Sequence, residues 1–158
     1  MAYKVFISHS TRDRGSVISL AHLLSRFGVE PYVASWYLQP GERIDEKVFQ
    51  QIQGSDCVVA LLTQDGLRSN WVNQEIGYAL REGRQIIPLV QKGTDPSYLA
   101  ALQDREYIEF DPRDPQRALL TTSSYVGSLK LKKEEREKTL LVAGGILAFF
   151  LLLSEGEK

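Results

Sequence analysis

The sequence predicts an α/β fold in which a five-stranded parallel sheet carries helices on both faces. Five short apolar runs alternate along the chain with segments whose apolar residues recur at helical spacing. The third run, residues 57–62, is continuously apolar, as is typical of a central strand buried on both faces. Strands that alternate with helices pair in parallel, because right-handed crossovers place the helices on both sides of the sheet. A common arrangement of such units, and the one we expect, is the flavodoxin-like strand order 2-1-3-4-5.

The strands and helices follow one another regularly along the chain. Strands are predicted at residues 5–8, 29–34, 57–62, 85–90 and 107–110. Apolar side chains recur at helical spacing in the first two helices, at Val17, Leu20, Ala21, Leu24 and Phe27, and then at Ile44, Val48 and Ile52. Gly28 and Gly54 follow these helices and are placed to end them. A short helix is expected at 97–102, and a last helix begins near Pro115.

A long polar loop, residues 35–43, follows the second strand. Pro40 and Gly41 mark a turn inside it. Loops of this length more often have a function than arise incidentally. We therefore expect this loop to contribute to a site.

The segment from Ser69 to Leu80 predicts an amphipathic helix with a carboxylate at the border of its apolar side. The core-facing side is formed by Val72, Ile76, Ala79 and Leu80. Directly beside it lies a stripe formed by Trp71, Glu75 and Tyr78. Ser69 or Asn70 is placed to cap the first turn. From this segment alone, a solvated Glu75 is the more common arrangement, because acidic side chains are seldom buried.

Three segments are expected to converge on one cleft. In a sheet of this order, ligands bind beyond the carboxyl ends of the strands, near the point where the strand order reverses. Ser8, His9 and Ser10 follow the first strand, and the 35–43 loop follows the second. The stripe that carries Glu75 follows the third strand. A carboxylate flanked by aromatic rings in such a cleft is a candidate functional group.

The composition excludes several classes of protein. With 158 residues, 43% of them apolar and 25% charged, the chain suits one globular domain. A net charge of -1 gives no field that would attract nucleic acid. The single cysteine, Cys57, excludes an intrachain disulfide, fits a reducing compartment and is expected to be a core residue. The N-terminus has no secretory signal pattern, so we expect the chain to begin in the cytoplasm.

An apolar run follows the α/β units near the C-terminus. Residues 140–153 contain no charge and no proline, and as a helix they span about 21 Å, against roughly 30 Å for a bilayer core. Five basic residues precede the run: Lys130, Lys132, Lys133, Arg136 and Lys138. We predict a domain at 1–125 on the cytoplasmic side, a charged helix or linker at 126–138, a membrane anchor at 139–154 and a tail at 155–158. A helix for oligomer packing, a core helix and a soluble cytoplasmic protein remain open alternatives.

The motifs together resemble those of a Toll/interleukin-receptor (TIR) domain of the prokaryotic kind, over about residues 1–125. The opening Val5-Phe6-Ile7-Ser8-His9-Ser10 resembles the first box of that family. Residues 38–44 resemble its mobile loop, and Trp71 with Glu75 resembles the motif of the members that cleave NAD. The order and spacing of these motifs within one α/β chain carry the resemblance.

The resemblance implies cleavage of the bond between nicotinamide and ribose in NAD. Glu75 would be the catalytic residue, because a carboxylate stabilises the positive charge that develops on the ribose. Trp71 would stack on a base or on the pyridinium ring. The residues that would line the site by the match of motifs are His9, Ser10, Gly41 and Arg43. NAD would be the substrate, with no separate cofactor, no metal ion and no nucleic acid.

The resemblance also implies self-association, since in related proteins a neighbouring domain completes the site through the mobile loop. The products would be nicotinamide with ADP-ribose or cyclic ADP-ribose, in prokaryotic anti-phage immune signalling. The alternative is a non-catalytic TIR adaptor that acts through self-association, although an adaptor has no need of Glu75. A phosphoacceptor receiver domain, for which Asp65 and Lys92 are suitably placed, would also need an acidic pair after the first strand to hold a divalent cation.

Overall fold

A computed structural model of the chain describes residues 2–34, 40–41 and 43–156. Within them lies a sheet formed by β1 (Tyr3–Ser8), β2 (Val29–Tyr32), β3 (Cys57–Leu62), β4 (Gln85–Gln91) and β5 (Ile108–Phe110). The five strands are ordered β2-β1-β3-β4-β5, and every neighbouring pair is parallel. The predicted fold class and strand order are therefore confirmed.

The ends of the first two strands differ slightly from the prediction. β1 begins at Tyr3, two residues earlier than expected, because Tyr3 and Lys4 pair with the start of β2. β2 ends at Tyr32, two residues earlier than expected, because its ladder with β1 stops at the pair of Phe6 and Tyr32. Val33, just beyond this ladder, is still buried.

Helices cover both faces of the sheet, as predicted. The described helices are α1 (Arg14–Arg26), α2 (Ile44–Gln53), α3 (Gln64–Arg68), α4 (Asn70–Arg81) and α5 (Pro115–Gly156). Short 3-10 segments lie at Thr11–Asp13 and Pro96–Leu102. Buried side chains of α1 and α5 belong to one core cluster, and those of α2 and α4 belong to the other.

Successive residues of the central strand β3 enter opposite cores, because side chains alternate between the two faces of a strand. Val59 and Leu61 lie in the core beneath α1 and α5. Val58, Ala60 and Leu62 lie in the core beneath α2 and α4. Burying a Val or Leu side chain completely stabilises a fold by about 1.5–3 kcal/mol, so β3 is a main contributor to both cores.

Helix α1 buries the predicted face but not its last member. Val17, Leu20, Ala21 and Leu24 are buried. Phe27, expected to extend this face, is 44% exposed. Its ring instead lies at the surface against Gly127 of α5, where a Cβ would stand 3.0 Å from the ring edge. Gly28 then ends α1 with a φ of 72°, as its position in the sequence predicted.

Helix α5 is 42 residues long and extends well past the sheet. Its first part packs on the domain through Ala118, Leu119, Thr122, Ser123, Val126 and Gly127. The segment 126–138, expected as a helix or a linker, is helical and continuous with the helix on either side. By length and composition, α5 contains an 18-residue apolar window that could cross a membrane, and none of that window is buried within the described chain.

Candidate active site

Glu75 is a buried carboxylate in the second turn of α4. The helix begins at Asn70, and the Ser69 hydroxyl accepts a hydrogen bond of 3.2 Å from the backbone N–H of Val72. This cap is one of the two that the sequence suggested. Glu75 is only 3% exposed, although its place beside the apolar stripe is more often a solvated one. The solvated arrangement is therefore wrong for this residue.

Ser8, the last residue of β1, is the direct partner of Glu75. Its side chain is fully buried, and its hydroxyl donates a hydrogen bond to Glu75 Oε2. The sequence placed Ser8 at the edge of the cleft, but Ser8 was not among the predicted site residues. The available signal was its position at the carboxyl end of a buried strand, where the fold collects functional side chains.

The surroundings of Glu75 hold its pKa well above the usual range of a glutamate. The pKa is raised from 4.5 to about 7, chiefly because burial in a low-dielectric environment disfavours the charged form. Hydrogen bonds from the side chains of Ser8 and Trp71 oppose this effect and lower the pKa. Trp71 is half-buried, and its indole N–H is the only donor that its side chain has. Ser8 and Trp71 thus keep the ionised form of a buried acid within reach at neutral pH.

His9 follows Ser8 directly in the chain, and its ring is turned to the backbone. Its Nδ1 is 3.3 Å from the backbone oxygen of Ile7. Burial lowers the pKa of His9, against the smaller opposing effects of Ile7 and Asp13. A neutral imidazole therefore stands near the site, and it adds no positive charge.

Ser10 is engaged with Asp13 rather than with Glu75. Its hydroxyl donates a hydrogen bond of 2.9 Å to Asp13 Oδ2, and Thr63 donates one of 2.7 Å to the same oxygen. These bonds tie the loop after β1 to the segment after β3. Ser10 is buried within this network, so the structure gives it a part in shaping the loop.

A short helix that the sequence did not predict, α3, begins directly after Thr63. The Thr63 hydroxyl accepts a hydrogen bond of 3.0 Å from the backbone N–H of Gly66. A Cβ at Gly66 would overlap the backbone oxygen of Leu61, so only glycine fits here without a shift. The Thr63 cap and the close approach of Gly66 to the Leu61 oxygen hold the segment that leads from β3 into α4. They thereby fix the start of α4, the helix that carries Glu75.

Gly41 and Arg43 lie in the part of the loop that the structure describes. Gly41 has a φ of 87°, which favours glycine. The Arg43 guanidinium is exposed and donates to Asp45 Oδ2 over 3.1 Å at the start of α2. Residues 35–39 and 42, which belong to the same predicted loop, lie outside the described residues. The roles of Gly41 and Arg43 in binding therefore stay predictions.

The remaining candidate groups take no part in this arrangement. Cys57 is buried at the start of β3, and burial raises the pKa of its thiol to about 12. Among the residues that the structure describes, no three His, Cys, Asp or Glu side chains are grouped so as to hold a metal ion. The chemistry available at the site is that of one buried carboxylate, its two hydrogen-bond donors and a neutral imidazole.

Sequence comparison relates most of the chain to a single family. The family model described as "TIR domain" matches residues 5–121. The "2' cyclic ADP-D-ribose synthase AbTIR" of Acinetobacter baumannii is 25% identical over 126 residues, which are 77% of this chain and 44% of that protein. The "Probable 2' cyclic ADP-D-ribose synthase BdTIR" of Brachypodium distachyon is 25% identical over 119 residues, 73% of this chain and 52% of that protein. The chain thus spans about half the length of these curated relatives.

Structure comparison finds the same fold in solved proteins. The TIR domain of the Toll-related receptor TRR-2 from Hydra magnipapillata matches with a TM-score of 0.61 at 24% identity, over 85% of this chain and 99% of that one. The CMP N-glycosidase BcmB of Clostridium botulinum matches with a TM-score of 0.58 at 20% identity, over 82% of this chain and 98% of that one. At these identities the likeness concerns the fold.

Proposed function

Because the chain belongs to the TIR-domain family, we propose that it cleaves the bond between nicotinamide and ribose in NAD. The observation that carries the proposal is the buried carboxylate of Glu75, held by Ser8 and flanked by Trp71. Burying an acid has an energetic cost, and a domain that only assembled with others would gain nothing from it. Perturbed carboxylates of this kind are characteristic of functional sites.

The proposed reaction needs one ionised carboxylate. As the bond between ribose C1′ and the pyridinium nitrogen breaks, both bonding electrons go to the nitrogen, and nicotinamide leaves as a neutral molecule. The ribose acquires oxocarbenium character, and Glu75 stabilises this charge where little water screens it. Water then adds to C1′ and loses a proton to give ADP-ribose. If a hydroxyl of the ADP-ribose adds instead, the product is cyclic.

The neighbours of Glu75 have distinct parts in this proposal. Ser8 orients the carboxylate and keeps it ionised, since a hydrogen bond to the charged form lowers the pKa. Trp71 offers a ring on which a base or the pyridinium can stack. The residues proposed to line the substrate site are His9, Ser10, Gly41 and Arg43. Arg43 is exposed, and we propose that its guanidinium turns from Asp45 towards a phosphate of the substrate. The neutral His9 does not oppose the developing positive charge.

The relatives support the class of reaction more than the exact product. Both curated relatives are named as synthases of 2' cyclic ADP-D-ribose, at 25% identity. We propose that this chain forms either ADP-ribose or cyclic ADP-ribose, as a signal or a means of NAD depletion in prokaryotic anti-phage immunity. The adaptor alternative differs from this proposal in one observable, which is the release of nicotinamide.

We also propose that α5 anchors the domain to the cytoplasmic side of a membrane and that the domains self-associate there. Its apolar end is exposed along its whole length, which is costly in water and favourable in lipid. Anchoring would raise the local concentration of the domains and so favour their association. Substrate sites completed by a neighbouring copy would then be active mainly in the membrane.

The experiment that tests the function is a product analysis with the full chain in lipid vesicles. NAD is added, and nicotinamide, ADP-ribose and cyclic ADP-ribose are separated by chromatography over a series of protein densities. Glu75→Ala is compared with Gln74→Ala, an exposed residue on the same helix. We expect release by the wild type and by Gln74→Ala, and none by Glu75→Ala. Folded, self-associated wild type that releases no nicotinamide would favour the adaptor.

A further inference from the structure

Helix α5 connects the two ends of the sheet. It begins at Pro115, shortly after the carboxyl end of β5, and it runs back along the sheet towards the amino ends of the strands. There Gln85 Nε2, at the start of β4, donates a hydrogen bond of 3.2 Å to the hydroxyl of Tyr125. The amino ends of the strands are hence where α5 leaves the domain.

Lys133 fastens α5 at this end of the sheet. Its ammonium group is 2.8 Å from Asp56 Oδ1 and 3.4 Å from the backbone oxygen of Ala2. Asp56 is itself fixed, since its Oδ2 accepts a hydrogen bond of 2.8 Å from the backbone N–H of Lys4. The ring of Tyr3 lies 5.8 Å from the same ammonium. This cluster joins α5 to the starts of β1 and β3, and the helix continues beyond it without a break.

A groove of about 780 Å³ opens beside this attachment. Its wall from the sheet includes Tyr3, Asp56 and Gln85, and its wall from α5 includes Lys132, Lys133, Glu135, Arg136 and Leu140. We call it the amino-edge groove. Leu140 is the first residue of the apolar run, so the groove and the apolar end of α5 are contiguous.

The charge beside the groove is biased towards basic groups. Lys130 forms an ion pair with Glu134, and Lys133 forms ion pairs with Asp56 and Glu137. Lys132, Arg136 and Lys138 are exposed and have no ion-pair partner among the described residues. Glu135 is the exposed acidic residue next to them in the sequence. At a rise of about 1.5 Å per residue, these three basic groups lie within about 12 Å of Leu140 along the helix. A headgroup layer on one side of a bilayer is about 5–8 Å deep, so Arg136 and Lys138 lie within it, and Lys132 lies just above it, where its long side chain can reach the headgroups.

We propose that the amino-edge groove faces a lipid bilayer, with Lys132 and Arg136 against anionic headgroups, and that the Glu75 site faces away from it. This inference rests on the membrane anchoring proposed above. The rigid attachment at Lys133 fixes the direction: Leu140 is about 10 Å further along α5. Ser8 is five residues beyond Tyr3 on β1, or about 17 Å towards the opposite edge. Copies in one bilayer therefore share one orientation, and their Glu75 sites lie in one plane above the membrane.

The test measures the distance of two labelled positions from the lipid. The native Cys57 is buried with a raised thiol pKa, so a maleimide dye attaches to an introduced cysteine. The full-length Gln85→Cys variant carries the dye at the amino-edge groove, and Gln64→Cys carries it at the carboxyl edge; both residues are exposed. Each is reconstituted in vesicles that contain nitroxide-labelled headgroups, and vesicle flotation is recorded on the same samples.

We expect both variants to float and the dye at position 85 to be quenched several-fold more strongly than the dye at position 64. Flotation with equal quenching, or with stronger quenching at position 64, would overturn the orientation while leaving the anchor intact. A chain that does not float would overturn the anchor and this inference together, whatever its activity on NAD.

The part played by headgroup charge is tested in the same assay. The Lys132→Glu and Arg136→Glu substitutions together are expected to reduce quenching at position 85 several-fold in vesicles with phosphatidylserine, and little in vesicles of phosphatidylcholine alone. The matched control carries the Lys92→Glu and Arg113→Glu substitutions, which reverse the charge of two exposed residues near the carboxyl edge. Equal effects of the two double variants would contradict the contact with headgroups.

Discussion

The hydroxyl of Ser8 donates a hydrogen bond to Oε2 of Glu75, a residue 67 positions later in the chain. The bond joins the carboxyl end of β1 to the second turn of α4 inside the protein, where both side chains are buried. A buried carboxylate with few partners is drawn towards its neutral form. Burial is the larger effect and raises the pKa of Glu75, while the hydrogen bonds from Ser8 and Trp71 act against it, so the protonation of Glu75 is a balance between burial and these two neighbours.

The first prediction concerns the pH dependence of NAD cleavage. If the ionised form of Glu75 is the active one, kcat/KM should rise with pH up to about 7, the pKa of this carboxyl, and then level off. Ser8→Ala removes a hydrogen bond to the charged form, so we expect the rise to shift upward by about one pH unit. Ser124→Ala, at an exposed position of α5, is the control and should leave the profile unchanged. A Ser8→Ala profile that is unshifted or moves to lower pH would contradict this role.

The second prediction concerns stability. The pKa of Glu75 is raised on folding from 4.5 to about 7, so the folded state binds this proton more tightly than the unfolded state. This contribution to the free energy of unfolding is complete below the unfolded pKa and is lost as pH rises through the folded pKa. Glu75→Gln cannot ionise, and it should be more stable than the wild type by roughly 3 kcal/mol above about pH 8.

Urea unfolding at several pH values measures this difference. Below about pH 4, where Glu75 of the wild type is protonated in both states, the two proteins should differ little. If the difference in free energy of unfolding between the two proteins is the same below about pH 4 and above about pH 8, the ionisation of Glu75 has no part in it.

The third prediction concerns two glycines in adjacent helices. A Cβ at Gly66 would overlap the backbone oxygen of Leu61, so Gly66→Ala should destabilise the fold by about 3 kcal/mol and disturb the base of α4. Nothing lies within 4 Å of a Cβ at Gly77, an exposed position within α4. Gly77→Ala should therefore stabilise the fold by about 0.5–1 kcal/mol. Thermal unfolding of the two variants tests the contrast, and equal shifts in Tm would refute the close approach at Gly66.

The periodic parts of the fold could be predicted from the sequence. The alternation of apolar runs with helical stripes predicted the parallel sheet, a common arrangement of such units supplied the strand order, and the buried face of α1 followed from its spacing. The Ser69 cap and the end of α1 at Gly28 were also correct, because a cap and a left-handed glycine depend on local chemistry. Local rules and simple periods are what a single sequence records most directly.

Features that depend on distant contacts could not be predicted in the same way. The pattern put Glu75 at the margin of the core, but its depth depends on how α4 packs against the end of β1. The hydrogen bond between Ser8 and Glu75 likewise joins residues 67 positions apart in the sequence. Helix α3 has only five residues and contains Gly66, so it shows neither a period nor a helical composition. The roles of His9, Ser10, Gly41 and Arg43 in binding remain predictions from the resemblance.

The central claim is that the carboxylate of Glu75 carries the cleavage of NAD, and the rate of nicotinamide release by Glu75→Gln measures this most directly. Glutamine keeps the size of the side chain and can still accept a hydrogen bond from Ser8. With the full chain in vesicles at about pH 8, we predict release by the wild type and a loss of at least 100-fold in the variant, roughly the cost of removing one group that stabilises transition-state charge. A folded variant that releases nicotinamide within a few-fold of the wild-type rate would contradict the claim.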